Sequence, residues 1–245
     1  TLVSSETTVP PFNSERDLSD GWEAIAKGFI GYPISTIGAA MVKEWAESFE
    51  SGQEVLDVGC GFGGAYTNDL INAGLKIYGI DASITLIHEY QKRFPGAISR
   101  CEAAEVSSFF EKTFDGVLSV GLIFLLSEMA QIAVLHKIAD AIKEGGRLLF
   151  SSPNQVCDWD DLSTGRKSRS LGREKYVVLV LDSQTIDIVT NDGKPITNGE
   201  NFSMVMNSPL TYLLVMKGCR ELLSQQPLAG LPSGYVHPYL DGPQS

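Results

Sequence analysis

The run Glu54-Val-Leu-Asp-Val-Gly-Cys-Gly-Phe-Gly-Gly64 constrains this chain more than any other stretch. It opens as a short apolar strand pattern carrying one acid, Asp57, and then breaks into glycines. About twenty residues on, Ile77-Tyr-Gly-Ile80 ends in a second acid, Asp81. Strand, glycine turn, helix, second strand and terminal acid describe a βαβ unit of the nucleotide-binding kind. The glycines permit a sharp turn and let a ligand approach the backbone where a Cβ would collide. The acid is suited to accept hydrogen bonds from both ribose hydroxyls.

Around this unit strand and helix patterns alternate, as expected of a mostly parallel sheet covered on both faces. Strands are predicted at 54–58, 76–80, 97–101, 114–120 and 147–151, and helices at about 64–73 and 83–94, with a short one near 104–111. Ser127 N-caps a longer helix carrying Ile132, Leu135, Ala139 and Ile142 on one face, with Lys143 in its last turn and Gly145-Gly146 after it. Upstream, residues 1–18 are polar with Pro10-Pro11 and read as a flexible arm. Two periodic runs follow within 19–52, one from Trp22 to Ile30 and one from Ile34 to Phe49. Those two helices either cover a sheet face or close over the ligand cleft as a lid, with Trp22, Phe29 and Tyr32 as its aromatics. Beyond Ser152 a polar loop runs to about Leu171, then a helix near 172–182. Strands 185–190 and 202–207 lie close enough for a hairpin, so the sheet is expected to finish with an antiparallel strand. A helix at about 209–224 and a Pro/Gly-rich tail complete the chain. The resulting division is an arm (1–18), one α/β domain (19–207) and a terminal helix and tail (208–245).

Composition narrows the partners. The net charge of −11 opposes binding to a nucleic-acid backbone, which needs a broad basic face. The apolar runs Val120 to Leu126 and Tyr176 to Leu181 fall far short of the roughly 20 residues of a membrane span. Cys60, Cys101, Cys157 and Cys219 lack metal-ligand spacing and read as free thiols of a reducing compartment. No basic and then apolar leader opens the chain. The expectation is a cytoplasmic protein with a small-molecule substrate, no metal, and neither nucleic acid nor membrane as partner; the sequence does not specify an oligomeric state.

Gly59-x-Gly61-x-x-Gly64 fits a dinucleotide fingerprint, but Gly59-x-Gly61-x-Gly63 fits too, and Asp57 stands two positions before the first glycine. A carboxylate there repels a pyrophosphate and attracts an ammonium or sulfonium group. Further acids, Glu102 and Glu105, follow the third strand, where a carboxylate can accept from an adenine amino group.

With these residues assembled, the chain resembles the class I S-adenosylmethionine-dependent methyltransferases of the small-molecule type. The likeness lies in Val55-Leu-Asp-Val-Gly-Cys-Gly-Phe-Gly63, Ile80-Asp-Ala-Ser83, Cys101-Glu-Ala-Ala-Glu105, Phe114-Asp-Gly-Val-Leu-Ser-Val-Gly121 and Glu144-Gly-Gly-Arg-Leu-Leu-Phe150. Leu162-Ser-Thr-Gly-Arg166 and Ser170-Leu-Gly-Arg-Glu-Lys-Tyr176 are similar to a pattern of some small-molecule members. The resemblance implies a Rossmann-like αβα sandwich with a seven-stranded sheet in the order 3-2-1-4-5-7-6, strand 7 antiparallel. It implies S-adenosylmethionine as cofactor. Asp57 and the backbone of Gly59, Cys60 and Gly61 would hold the methionine moiety and sulfonium. Asp81 would take the ribose and Ala82 border the adenine. Glu102, where the family more often has Asp, and Ala103 would read the adenine edge. Ser119, Val120 and Gly121 would face the methyl group.

Methyl transfer from a sulfonium is an in-line displacement of an already activated carbon, so alignment of the reactants can contribute roughly 7–11 kcal/mol. A neutral amine needs little more, whereas a poorly acidic hydroxyl needs a general base. His88 and His136 fall in helices that cover the sheet and His237 in the tail, which favours a nitrogen acceptor and identifies no catalytic base. Ser119-Val-Gly-Leu122 stands where members methylating nucleic-acid amino groups carry Asn/Asp-Pro-Pro-Tyr. For the acceptor, Asp158-Trp159-Asp160-Asp161 suits a cationic amine, whereas Arg166, Lys167, Arg169, Arg173 and Lys175 suit a carboxylate or phosphate. Trp22, Tyr32, Trp159 and Arg166 are the candidate acceptor contacts. Two other readings stay open: a cofactor-binding protein with a regulatory or non-methylating role, and an NAD(P)-dependent oxidoreductase. The latter gives no reason for Asp57.

Overall fold

The computed structural model describes residues 17–32, 38–153, 155–181, 187–190, 204–207 and 214–216. Its core is a parallel sheet built from β1 (Glu54–Val58), β2 (Lys76–Asp81), β3 (Ile98–Cys101), β4 (Phe114–Ser119) and β5 (Ile142–Pro153). These stand in the order 3-2-1-4-5. The helices are α1 (Trp22–Ile30), α2 (Ala39–Glu47), α3 (Ala65–Asn72), α4 (Ile84–Arg93), α5 (Glu128–Asp140) and α6 (Arg173–Leu181). Period-two alternation along β1 sends Leu56 and Val58 into a cluster with Val134, Leu135 and Ile138 of α5 and Tyr176 of α6. Val55 points the other way, to Val42 and Trp45 of α2 and Leu70 of α3. Three layers result, and each fully buried Leu, Ile or Val contributes about 1.5–3 kcal/mol to holding them.

The packing of α2 against the sheet settles one sequence alternative for that helix: it covers a sheet face. Ile34 and Ile37 of its expected first turn lie outside the described residues, as do residues 1–16 of the arm.

Several local expectations are corrected. The stretch after Pro153 is not a polar loop but an antiparallel hairpin of β6 (Val156–Asp160) and β7 (Lys167–Leu171). Helix α5 stops at Asp140, so Lys143 lies in β5 rather than in a last helical turn, and Gly145-Gly146 sit in an irregular stretch of that strand. Instead of an α-helix near 104–111, a 3-10 turn spans Phe109–Glu111, with all three residues at positive φ. The hairpin expected from 185–190 and 202–207 does form, as β8 (Asp187–Thr190) and β9 (Met204–Asn207), but as its own two-stranded sheet. The strand beside β5 is instead β10 (Leu214–Met216), which runs parallel to it within the region expected to be helical. A three-residue apolar run carries no periodicity that separates helix from strand. The rest of 208–245 lies outside the described residues. Among the described residues, no helix is long and apolar enough to cross a membrane.

Candidate functional site

β1 lies between β2 and β4, so the chain leaves its carboxyl end at the point where the strand order reverses, the usual crevice of an open α/β sheet. The glycine loop fills that crevice. Gly59, Gly61 and Gly63 all have positive φ, at 80°, 56° and 70°. A Cβ on Gly59 would stand 2.9 Å from Leu122, and one on Gly63 2.2 Å from the Phe94 ring. At Gly61 nothing lies within 4 Å, so that glycine faces open space. The loop is bound to the end of β2: Gly59 and Cys60 N–H groups donate to the Ile80 carbonyl at 2.8 and 3.0 Å. Gly61 N–H donates to Asp81 Oδ2 at 3.0 Å, and Ser83 N–H to Asp81 Oδ1 at 2.8 Å.

Asp57 is 6% exposed. Burial pushes its carboxyl up to about 7, and the Asp81 charge adds to the rise. Burial raises Asp81 as well, opposed by the Ser83 and Gly61 amides and assisted by Glu23. The buried Cys60 thiol is driven up by the same burial and by both aspartates. A cation arriving here would relieve both carboxylates; an anion would add to their repulsion.

At the end of β3, Glu102 N–H donates to the Asp81 carbonyl at 2.9 Å, which holds Glu102 and the buried Ala103 beside β2. The Glu102 carboxylate accepts from Ser107 Oγ at 2.6 Å and lies 3.6 Å from Arg100. Ala82 accepts a weak contact from Cys101 Sγ at 3.6 Å. At the end of β4 the fully buried Ser119 spends its hydroxyl on the Val58 carbonyl at 3.0 Å. Its side chain therefore ties β4 to β1. Gly121 N–H donates to Ser151 Oγ at 2.8 Å, with φ of 83° and nothing within 4 Å of a Cβ position.

The acceptor-side candidates gather only in part. Trp22 packs edge-on to Phe29 at 5.1 Å, and Phe29 to Phe62 of the glycine loop at 5.5 Å, so α1 lies against that loop. Tyr32, just past α1, is 54% exposed. Trp159 on β6 packs with Phe124, which follows β4, at 5.6 Å. Arg166, in the hairpin turn, binds Asp20 beside the start of α1 at 2.6 Å. The opposed acidic and basic clusters prove to be cross-strand partners: Asp158 faces Arg169 at 3.8 Å and Asp160 faces Lys167 at 2.8 Å. His88 and His136 are exposed on α4 and α5.

Sequence reading missed Glu23, whose carboxylate accepts from Ser83 Oγ and from the Thr85 backbone and hydroxyl. An acid amid the apolar positions of α1 gave no signal of that contact. Asp161, expected with its acidic neighbours to suit a cationic amine, is instead buried and organises the hairpin turn through Ser163 and Thr164. Phe62 and Leu122 were also overlooked, and the x positions of a glycine motif are where such contacts were available to be found.

Fold and loop define a class: a doubly wound α/β domain of the nucleotide-binding kind with two carboxylates, Asp57 and Asp81, at its glycine turn, where Arg93, stacked over Phe62, is paired with Glu89. Residues 55–146 match the family model described as methyltransferase domain. That stretch is similar in sequence to methyltransferase domains, over less than half of the chain. Phosphoethanolamine N-methyltransferase 1 of Triticum aestivum is 30% identical over 130 residues, 49% of this chain and 25% of that protein. The chain thus spans about a quarter of the length of the curated relatives it matches. A TehB-like SAM-dependent methyltransferase from Corynebacterium glutamicum superposes with a TM-score of 0.52 at 21% identity, over 78% of this chain and 94% of that one. Phosphoethanolamine N-methyltransferase 2 of Haemonchus contortus, in complex with phosphomonomethylethanolamine and S-adenosylhomocysteine, gives 0.57 at 20% identity, over 75% and 47%. These likenesses bear on the fold.

Proposed function

We propose that this chain binds S-adenosylmethionine across the carboxyl ends of β1, β2 and β4 and transfers its methyl group to the nitrogen of a small amine. The observation that carries the reading is the buried Asp57, pushed up to about 7 with Asp81 as its charged neighbour. Two acids at one turn fit a ligand that brings positive charge, and the open face of Gly61 fits close approach to the backbone.

In this reading Asp57 and the backbone of Gly59, Cys60 and Gly61 hold the aminoacyl end. Asp81, already oriented by two amides, takes the ribose hydroxyls with its remaining lone pairs. Ala82 flanks the adenine, while Ala103 and Glu102 meet its edge, Glu102 steadied by Ser107. The backbone at Ser119 and Gly121 borders the methyl carbon. When bound, the cofactor supplies an activated methyl carbon. The protein's part is then to align the amine, exclude water with α1 and the hairpin, and leave the amine neutral; such a nucleophile needs no strong base. Trp22, Tyr32, Trp159 and Arg166 face the acceptor.

The matched relatives bear the name phosphoethanolamine N-methyltransferase, which makes phosphoethanolamine and its N-methylated forms the first acceptors to test. The unit is proposed to be the domain 19–207 with α1 as lid, working in the cytoplasm, where Cys60, Cys101 and Cys157 stay reduced as thiols. Its charge of −11 favours a small-molecule partner over nucleic acid. The test is turnover of methyl-labelled cofactor against a panel of amines and phosphorylated amines, read by mass spectrometry. Labelled N-methyl product supports the reading. Tight cofactor binding with no methylated amine across the panel refutes it.

A further inference from the structure

The geometry points to Glu23 as a positioning residue that latches α1 over the ribose end of the cleft, so that the cofactor enters and leaves only when Glu23 lets go of α4. The inference rests on the cofactor reading proposed above and deepens it.

The contacts form one line. Glu23 Oε2 accepts from Ser83 Oγ at 2.5 Å and from Thr85 N–H at 3.1 Å, while Oε1 accepts from Thr85 Oγ1 at 2.6 Å. Ser83 N–H in turn donates to Asp81 Oδ1 at 2.8 Å, and Asp81 Oδ2 receives Gly61 N–H at 3.0 Å. One carboxylate on α1 thereby reaches the ribose acid through a single residue, and that acid reaches the glycine loop. Ser83 is fully buried and N-caps α4 by accepting from Leu86 N–H at 3.2 Å.

Glu23 does for α4 in trans what a capping side chain does locally. The first amides of a helix lack partners within it and carry the positive end of its dipole, so a carboxylate is favoured there. Its charge settles the balance: burial raises the Glu23 carboxyl, but the Ser83 and Thr85 donors outweigh it and leave it lowered. Glu23 therefore stays ionised at neutral pH and keeps hold of Ser83.

What α1 covers gives the latch its consequence. Ala26 packs in one cluster with Phe62 of the glycine loop and Leu86 of α4, with Phe29 and Ile30 against it. The helix thus lies against the glycine loop and α4, which in the proposed cofactor reading border the nucleoside. Its start is also held by Asp20 to Arg166, but both those side chains are at least half exposed and that pair is weak. Glu23 makes the stronger attachment, and it is the one joined to the ligand-binding acid.

The test follows hydrogen exchange of α1 peptides and release of bound S-adenosylmethionine, by stopped flow, in the full chain and in Glu23→Ala, Glu23→Gln and Thr85→Val. Loss of charge-assisted hydrogen bonds predicts α1 exchange and cofactor release both faster by roughly 10- to 100-fold in Glu23→Ala. Glu23→Gln should fall between, and Thr85→Val, which keeps two of the three contacts, should show the smallest change. Because the latch gates entry as well as exit, cofactor association should quicken along with release while equilibrium affinity changes little, a pattern that damage to the binding surface would not give. Unchanged α1 exchange refutes the latch. Faster α1 exchange with unchanged cofactor release refutes the coupling. If calorimetry shows no S-adenosylmethionine binding to the unaltered chain while the exchange pattern appears, the cofactor reading falls and the gating role falls with it.

Discussion

Replacing Asp57 by Asn should stabilise the empty protein and weaken cofactor binding, both in a pH-dependent way. Asp57 ionises near 7 in the fold, against 3.8 ordinarily. Between those values the folded chain keeps a proton that the unfolded chain has lost, so stability falls as pH rises through that window and is level above it. At about 1.4 kcal/mol per pH unit, ionised Asp57 costs the fold about 4 kcal/mol above pH 7, an order-of-magnitude figure. Asn cannot ionise. The stability advantage of Asp57→Asn over the parent should therefore grow by about 2–3 kcal/mol from pH 5 to pH 8, roughly 5–10 °C in Tm for a chain of this size. Binding runs the other way. A cation needs the ionised acid, so the affinity of the parent for S-adenosylmethionine should fall about tenfold per pH unit below 7. Asp57→Asn should bind roughly 30- to 1,000-fold more weakly at pH 8, with little pH dependence. Thermal melts and calorimetry at pH 5 to 8 measure both. A Tm gap that stays constant or shrinks with rising pH, or equal parental affinity at both ends, would refute the electrostatic reasoning.

Two glycines separate binding from folding. Gly61→Ala meets open space, so it should cost only about 1–2 kcal/mol of left-handed strain in a melt while cofactor affinity collapses. Gly63→Ala would set its Cβ 2.2 Å from the Phe94 ring and should destabilise the fold itself, seen as a lowered Tm before any ligand is added. Tyr176→Phe strips partners from Gln131, Ser152 and the Leu171 amide, all buried, and should cost about 1–3 kcal/mol with faster exchange at Leu171. Asp20→Asn frees Arg166 at less than about 1 kcal/mol, because the pair is exposed. If the acceptor is a phosphorylated amine, its KM should then drop while that of the unphosphorylated amine stays put.

The central βαβ unit was legible because its signals are local: an apolar strand, glycines forced by positive φ, and an acid closing the next strand. Ser127 likewise announced the start of α5 as its N-cap. The β6–β7 hairpin was not legible. Its outward residues are charged on both strands, Asp158 and Asp160 against Arg169 and Lys167, so the composition reads as solvated loop until pairing makes the charges neighbours. The end of α5 was misjudged because Gly145-Gly146 looks like a helix stop, whereas here it belongs to an irregular strand. At the site, Asp57 and Asp81 could be weighed from sequence alone because both lie at strand ends. Glu23 could not, because its partners are sixty residues away. Ser119 could be placed beside the cleft, but not its hydroxyl, which turns to Val58.

Three carboxylates meet at this end of the sheet, and their different states bear on the ligand proposed for the cleft. Glu23 is lowered because three donors outweigh its burial. Asp81 is raised in spite of two amides. Asp57 is raised by burial and by Asp81, with no lowering influence to offset them. A fold tolerates such an arrangement at a cost, and at Asp57, the acid closest in sequence to the glycine turn, burial and Asp81 both act in the same direction. In the proposed reading a ligand with its positive charge at Asp57 and neutral hydroxyls at Asp81 relieves the acid that has no donors and hydrogen-bonds the one already held by two amides. A pyrophosphate at the same turn would meet uncompensated acids. Under the function proposed above, that asymmetry favours a sulfonium cofactor over a nicotinamide dinucleotide on charge.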